Sequence, residues 1–102
     1  MPNIKQGDVW KVSNIRQTQR REVVVVGNDE YSKETRLYQV IPLDDVNSGR
    51  RHPFNLRVRG RNVAVDLIST LPEEFFLDKK AAALPEEMER IRTALFELFS
   101  GN

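Results

Sequence analysis

Two arginines, Arg20 and Arg21, stand directly ahead of four consecutive valines in the stretch QTQRREVVVV. A guanidinium keeps its charge throughout the working pH range and presents donors in a planar fork, which suits a phosphate oxygen or another anion. Placed just upstream of a stiff apolar strand, such a group is held in position. Neighbouring residues of an extended chain point to opposite faces, so only one of the two reaches a given anion. Downstream, Asp44 and Asp45 come after Pro42 in VIPLDD. The pair reads either as a turn, for which aspartate is well suited, or as a carboxylate, Asp44, that accepts a proton as general base. Two adjacent carboxylates in a loop lack the ligand set of a divalent ion, so neither a metal nor any other cofactor is implied. His52 is the single histidine and lies beside Arg50 and Arg51. It can assist proton transfer or merely shape a strand start, and a two-histidine acid–base mechanism is excluded.

A second basic group, Arg57, Arg59 and Arg61, recurs at alternate positions in HPFNLRVRGR. Such a row is either a solvated outer face or, with Arg50 and Arg51, a track for a phosphate backbone or an acidic peptide, with salt-sensitive affinity. Asp66 lies among Val63, Val65 and Ile68, on the solvent face of a strand or buried with an arginine. Tyr31, Tyr38 and Phe54 are candidate stacking surfaces for bases, although Phe54 and Trp10 read more readily as core.

The elements that must position these groups are set by composition and periodicity. The 102 residues, 39% of them hydrophobic, make one domain spanning 1–102 with one modest core. A net charge of +1 hides a segregation: Ser48 to Asn62 carries five arginines and no acid, whereas Pro72 to Glu89 carries six carboxylates and two lysines. Two binding surfaces of opposite sign are implied. With no cysteine, disulfides and thiolate metal sites are excluded. No leader-like apolar run and no stretch near the ~20 apolar residues of a membrane span is present, so a cytoplasmic location is expected.

GDVWKVSN alternates as a short strand with its Trp10 face buried, and Asn14 to Gln19 is expected to be a long mobile loop. Val23 to Val26 predict a central strand buried on both faces, because β-branched residues in series suit strands. GNDEYSKE reads as a turn or a single helical turn, TRLYQVIPL as a strand ending at Pro42, and DDVNSGRR as a loop. In HPFNLRVRGR, Phe54, Leu56 and Val58 face one way and the arginines the other, pairing as a hairpin with NVAVDLIST. LPEE occurs twice, at 71–74 and 84–87, and each copy suits a helix first turn. From Pro85, Met88, Ile91, Leu95 and Phe99 recur at helical spacing, with Leu98 widening the stripe. The expected fold is mainly β: about five antiparallel strands in a small barrel, with a C-terminal helix.

In this order the segments resemble the MazF/PemK family of toxin endoribonucleases from bacterial toxin–antitoxin pairs. GDVWKV is similar to the family's opening strand, RREVVVVGND to its arginine-proline element and the strand after it, and HPFNL to its Tyr-Pro-Phe strand start. VAVDLISTL and LPEEMERIRTALFELF resemble its later strand and terminal helix. The resemblance implies an SH3-like barrel assembled as a homodimer and metal-independent cleavage of single-stranded RNA, the ribose 2′-hydroxyl attacking the adjacent phosphate. It also implies inhibition by an antitoxin with an acidic, disordered C-terminal tail. Arg21 falls on the family's catalytic arginine and Asp44 on its threonine, while Glu22 replaces the proline after the arginine and Leu67 the glutamine after Asp66. Catalysis is thereby assigned to Arg21 and Asp44. RNA or anion contact is assigned to Arg20, Arg50, Arg51, His52, Arg57, Arg59 and Asp66. The departures leave open a non-catalytic toxin that only binds RNA or antitoxin, or a gyrase poison on the same barrel.

Overall fold

The computed structural model describes residues 3–13, 20–44 and 53–100. It contains strands β1 (Asp8–Ser13), β2 (Arg20–Val25), β3 (Leu37–Asp44), β4 (Arg57–Val58), β5 (Arg61–Val63), β6 (Ser69–Pro72) and β7 (Phe76–Ala82). Two helices, α1 (Asp29–Thr35) and α2 (Pro85–Ser100), complete it with three short 3-10 turns. Six strands run in the order β4-β5-β3-β2-β1-β7, and β6 pairs with β3 beyond the end of β5. All pairings are antiparallel, so the molecule is the expected mainly antiparallel β structure, a half-barrel with a C-terminal helix. The described residues hold seven strands rather than about five.

The valine run forms the middle of the sheet, with β2 hydrogen-bonded between β1 and β3. Its side chains alternate between two cores, as strand geometry requires. Val24 joins Val9, Ile41, Leu43, Val58, Val63 and the inner face of α2, formed by Met88, Ile91 and Ala94. Val23 and Val25 join Trp10, Val12, Tyr38, Val40 and Phe76. Both faces of β1 are therefore buried, not the Trp10 face alone, because α2 covers the side carrying Val9. Two register shifts between β1 and β7 bend the sheet around the second core, where the Phe76 ring meets Trp10 edge-on at 5.8 Å and Tyr38 at 5.2 Å.

Several boundaries differ from the sequence expectation for identifiable reasons. β3 runs through Pro42 to Asp44 instead of ending at it. The edge of β3 beyond β2 pairs with β6 as far as Val40 and with β5 from Leu43, so Pro42 sits where the neighbouring strand changes. No ladder donor is needed there, and the Pro42 carbonyl still accepts the Ala64 amide at 3.0 Å. GNDEYSKE forms a seven-residue helix, α1, because the Asn28 side chain accepts the Glu30 and Tyr31 amides at 2.8 and 3.1 Å as its N-cap. NVAVDLIST is not one strand: it breaks into β5, a 3-10 turn at Val65–Leu67, and β6. β7 carries no alternation to announce it; it is an edge strand whose Lys79 and Lys80 discourage pairing with another chain.

The two LPEE copies diverge. At 71–74 the sequence closes β6 and makes only a 3-10 turn, Glu73–Phe75. At 84–87 it starts α2, where Glu87 accepts the Leu84 amide at 2.7 Å, the carboxylate half of a capping box. The other oxygen of Glu87 accepts the Arg59 amide at 3.0 Å and so ties the β4–β5 hairpin to the helix start. That hairpin turns on Arg59 and Gly60 alone, with φ of 51° and 83°, the positive values a two-residue turn of this kind demands. Glu87→Ala removes the acceptor of both amides, and a loss of about 1–2 kcal/mol in urea unfolding is expected, against less than about 0.5 kcal/mol for the neighbouring Glu86→Ala.

Only the first half of the α2 stripe packs as expected. Met88, Ile91 and Ala94 are buried and Leu95 partly so, but Phe99 is 71% exposed and Phe96 73%, and neither joins a core cluster of the described residues. No helix among the described residues is long and apolar enough to cross a membrane.

Candidate active site at the β2–β3 strand ends

The β2–β3 ladder pairs Val23 with Pro42 and Val24 with Ile41. Continued by two residues, this register sets Arg21 opposite Asp44, and the side chains meet: Arg21 Nη2 lies 2.9 Å from Asp44 Oδ1. Both project on the face of the second core, in line with Val23 and Val40. The Arg21 side chain is 49% exposed and that of Asp44 only 11%. The carboxylate is thus a sheltered post against which an accessible guanidinium leans, leaving further guanidinium donors for a ligand.

The opposite face of the same strand end carries a second pair. Glu22 points with Val24 toward the first core and accepts from Arg61 Nη1 at 2.6 Å. β2 is thereby gripped on one face through β3 and on the other through β5. This contact also alters the arginine row. Arg61 has a carboxylate partner from another strand, and Arg59 belongs to the hairpin turn rather than to a strand. Arg57 remains exposed on β4, paired across the hairpin with Asn62. The three arginines therefore do not form one strand face.

The other candidates are scattered. Asp66 is exposed on the Val65–Leu67 3-10 turn, neither on a strand nor buried. Arg20 opens β2 opposite Ser13. Arg50, Arg51 and His52 lie outside the described residues, as do 14–19 and Asp45. Trp10 is buried and packed, and its indole N–H donates to Asp8 at 3.3 Å. Phe54 is 40% exposed instead of core, since positive φ at Phe54 and Asn55 turns the chain there. Tyr38 is buried and offers no stacking face, whereas Tyr31 is exposed.

In the sequence Glu22 reads only as a missing proline. Its role as the partner of Arg61 depends on two strands 39 residues apart in sequence, which no local pattern reveals. Asp8 gives no sequence signal either. Buried at the start of β1, it accepts the Lys5 amide at 2.9 Å and the Trp10 indole, and it faces Lys79 at 3.2 Å, locking the N-terminal segment to β7.

Residues 5–99 match the family model described as the PemK-like, MazF-like toxin of type II toxin–antitoxin systems. A search of curated proteins finds no significant match. Among solved structures, the chain is similar to a MazE–MazF complex of Deinococcus radiodurans, with TM-score 0.80, 19% identity, and coverage of 99% of this chain and 100% of the other. It is also similar to an endoribonuclease in complex with its cognate antitoxin from a mycobacterial species, with TM-score 0.78, 20% identity, and coverage of 100% and 98%. A third similar structure is the Mycobacterium tuberculosis toxin MazF-mt6, with TM-score 0.69, 13% identity, and coverage of 93% and 98%.

Proposed function

The chain belongs to the PemK-like, MazF-like toxin family of type II toxin–antitoxin systems, and on that premise we propose that it is a metal-independent endoribonuclease acting on single-stranded RNA in the cytoplasm. The observation that carries this reading is the Arg21–Asp44 pair: an accessible guanidinium held at 2.9 Å by a sheltered carboxylate, at the strand end where the family's arginine falls. The 2′-hydroxyl of the nucleotide before the cut attacks the adjacent phosphorus. The 2′ proton passes to Asp44 or to water, the P–O5′ bond breaks, and the departing O5′ takes a proton from water, leaving a 2′,3′-cyclic phosphate and a 5′-hydroxyl. Arg21 donates to the equatorial oxygens and offsets the charge that builds on the phosphorane. Asp44 either takes the 2′-hydroxyl proton or, with one oxygen already accepting from Arg21, chiefly orients that guanidinium.

The functional unit in this reading is a homodimer, supported by the exposed Phe96 and Phe99 at the end of α2, which are costly to leave in water. Its regulator is an antitoxin with an acidic, disordered C-terminal segment; two of the similar structures contain an antitoxin. Exposed basic residues such as Arg57 supply anion contacts for RNA or for that segment.

Incubation of the purified protein with a long single-stranded RNA in EDTA tests the proposal. Discrete fragments ending in 2′,3′-cyclic phosphate are expected. Intact RNA accompanied by a salt-dependent gel shift would instead select the binding-only toxin, a reading favoured by Glu22 and Asp44 standing where the family has proline and threonine. Trapped gyrase–DNA complexes would select the gyrase poison.

A further inference from the structure

A cavity of about 510 Å³ opens between the N-terminal segment, α1 and the β6–β7 turn, and its lining includes Lys5, Asp29, Lys33, Arg36, Tyr38 and Glu73. It lies on the face of β3 that carries Asp44, but Tyr38 is six residues away along the strand, about 20 Å. It therefore shares no group with the Arg21–Asp44 site. We propose that this cavity binds a phosphate monoester of nucleotide size. The inference is independent of the nuclease reading.

Three observations support it. Lys5, Lys33 and Arg36 converge on the cavity, and none of their side chains has an ion-pair partner among the described residues. Tyr38 is only 7% exposed, lines the same space, and its hydroxyl makes no hydrogen bond among the described residues. Burial, then the nearby Glu73 carboxylate, raise the pKa of that phenol, in line with a neutral O–H donor. The ring is packed away while the hydroxyl opens on the cavity without a protein acceptor among the described residues, so it is available to an anionic oxygen.

The third observation is that the cations stand on fixed backbone. Arg36 ends α1 with φ 58°, a conformation more often occupied by glycine. Its amide donates to Ser32 at 2.7 Å and its carbonyl accepts the Glu73 amide at 3.1 Å. The Phe76 ring meets Tyr38 edge-on, and the Lys5 amide is held by Asp8. The two carboxylates on the wall define the rest of the ligand. Asp29 already accepts the Gln6 amide at 2.6 Å, and with Glu73 it can take hydroxyl or amino donors such as a nucleoside presents. The volume falls within the ~300–1,000 Å³ usual for small-ligand sites.

The test is calorimetric and NMR titration of the full chain with adenosine 5′-monophosphate, inorganic phosphate and adenosine. Saturable binding of the monophosphate is expected, with amide shifts centred on 3–6, 29–38 and 73, and adenosine at least about tenfold weaker. Arg36→Gly relieves the positive φ and so preserves the fold. Combined with Lys33→Ala, it is expected to weaken binding at least about tenfold, and Tyr38→Phe a few-fold, while Arg21→Ala leaves it unchanged. A trinucleotide with and without a 5′-phosphate separates the sources: tight binding of the phosphorylated form assigns the site to RNA ends, and its exclusion assigns it to free nucleotide. The proposal is overturned by absence of saturable binding at millimolar monophosphate. Shifts centred on Arg21, or an equal loss in the control Lys80→Glu on β7, overturn it as well.

Discussion

Arg21→Ala is expected to cut single-stranded RNA at least about 100-fold more slowly than the parent chain while remaining folded. The size of the effect comes from what a preorganised cation does to a developing phosphorane. It acts on charge that appears only in the transition state, so its loss is read in kcat more than in binding. The Arg21 donor is held before substrate arrives, by a carboxylate 2.9 Å away at a strand end whose other face is gripped by Glu22 and Arg61. The guanidinium is 49% exposed but its carboxylate partner only 11%, so its loss should lower stability in urea by about 1–2 kcal/mol, too little to unfold the domain. Arg21→Lys is expected to recover only part of the rate, since an ammonium cannot fork onto two oxygens. Asp44→Asn separates the two roles of its partner. An orienting carboxylate loses rate with an unchanged pH profile, whereas a general base loses the acidic limb of the profile. Cleavage by Arg21→Ala at the parental rate would remove Arg21 from the chemistry.

The largest expected loss of stability is at Ile41. It is fully buried in the middle of β3 and packs into the core between the sheet and α2. Ile41→Ala takes away buried methyl groups and leaves a cavity that the sheet, held at this point by the Val24–Ile41 pairing with β2, closes only in part. A loss of about 2–5 kcal/mol is expected, against about 0.5–1.5 kcal/mol for Ile41→Val. For a domain of this length each kcal/mol lowers Tm by roughly 4–8 °C, so the alanine variant should melt at least about 8 °C lower. A drop of under about 2 °C would mean that the two cores do not unfold as one cooperative unit.

The central strand and the helix were legible because their patterns are local. Valines in series disfavour a helix and call for cover on both faces; Val23 to Val25 lie buried in the middle of the sheet, and Val26 falls just past the strand's end. Met88 and Ile91 at helical spacing are buried by the face they define. The candidate site was half legible. A charge before a stiff strand pointed to Arg21, and a carboxylate after Pro42 pointed to Asp44, but nothing in either segment says that they touch.

Tertiary structure decided the rest. The two LPEE copies are identical in sequence and end as a 3-10 turn and an α-helix. The first runs straight into β7, which is held in the sheet by β1, whereas the residues after the second repeat on a helical face that the sheet covers. Phe54 and Phe99 read as core and are exposed, since apolar character sets a preference for burial and only the neighbouring elements supply a cover. Arg21 with Asp44, and Glu22 with Arg61, are joined by strand register. Residue types and their period are written along the chain and dictate local conformation. Which charges meet depends on how strands far apart in sequence are aligned, and that alignment exists only once the sheet has formed.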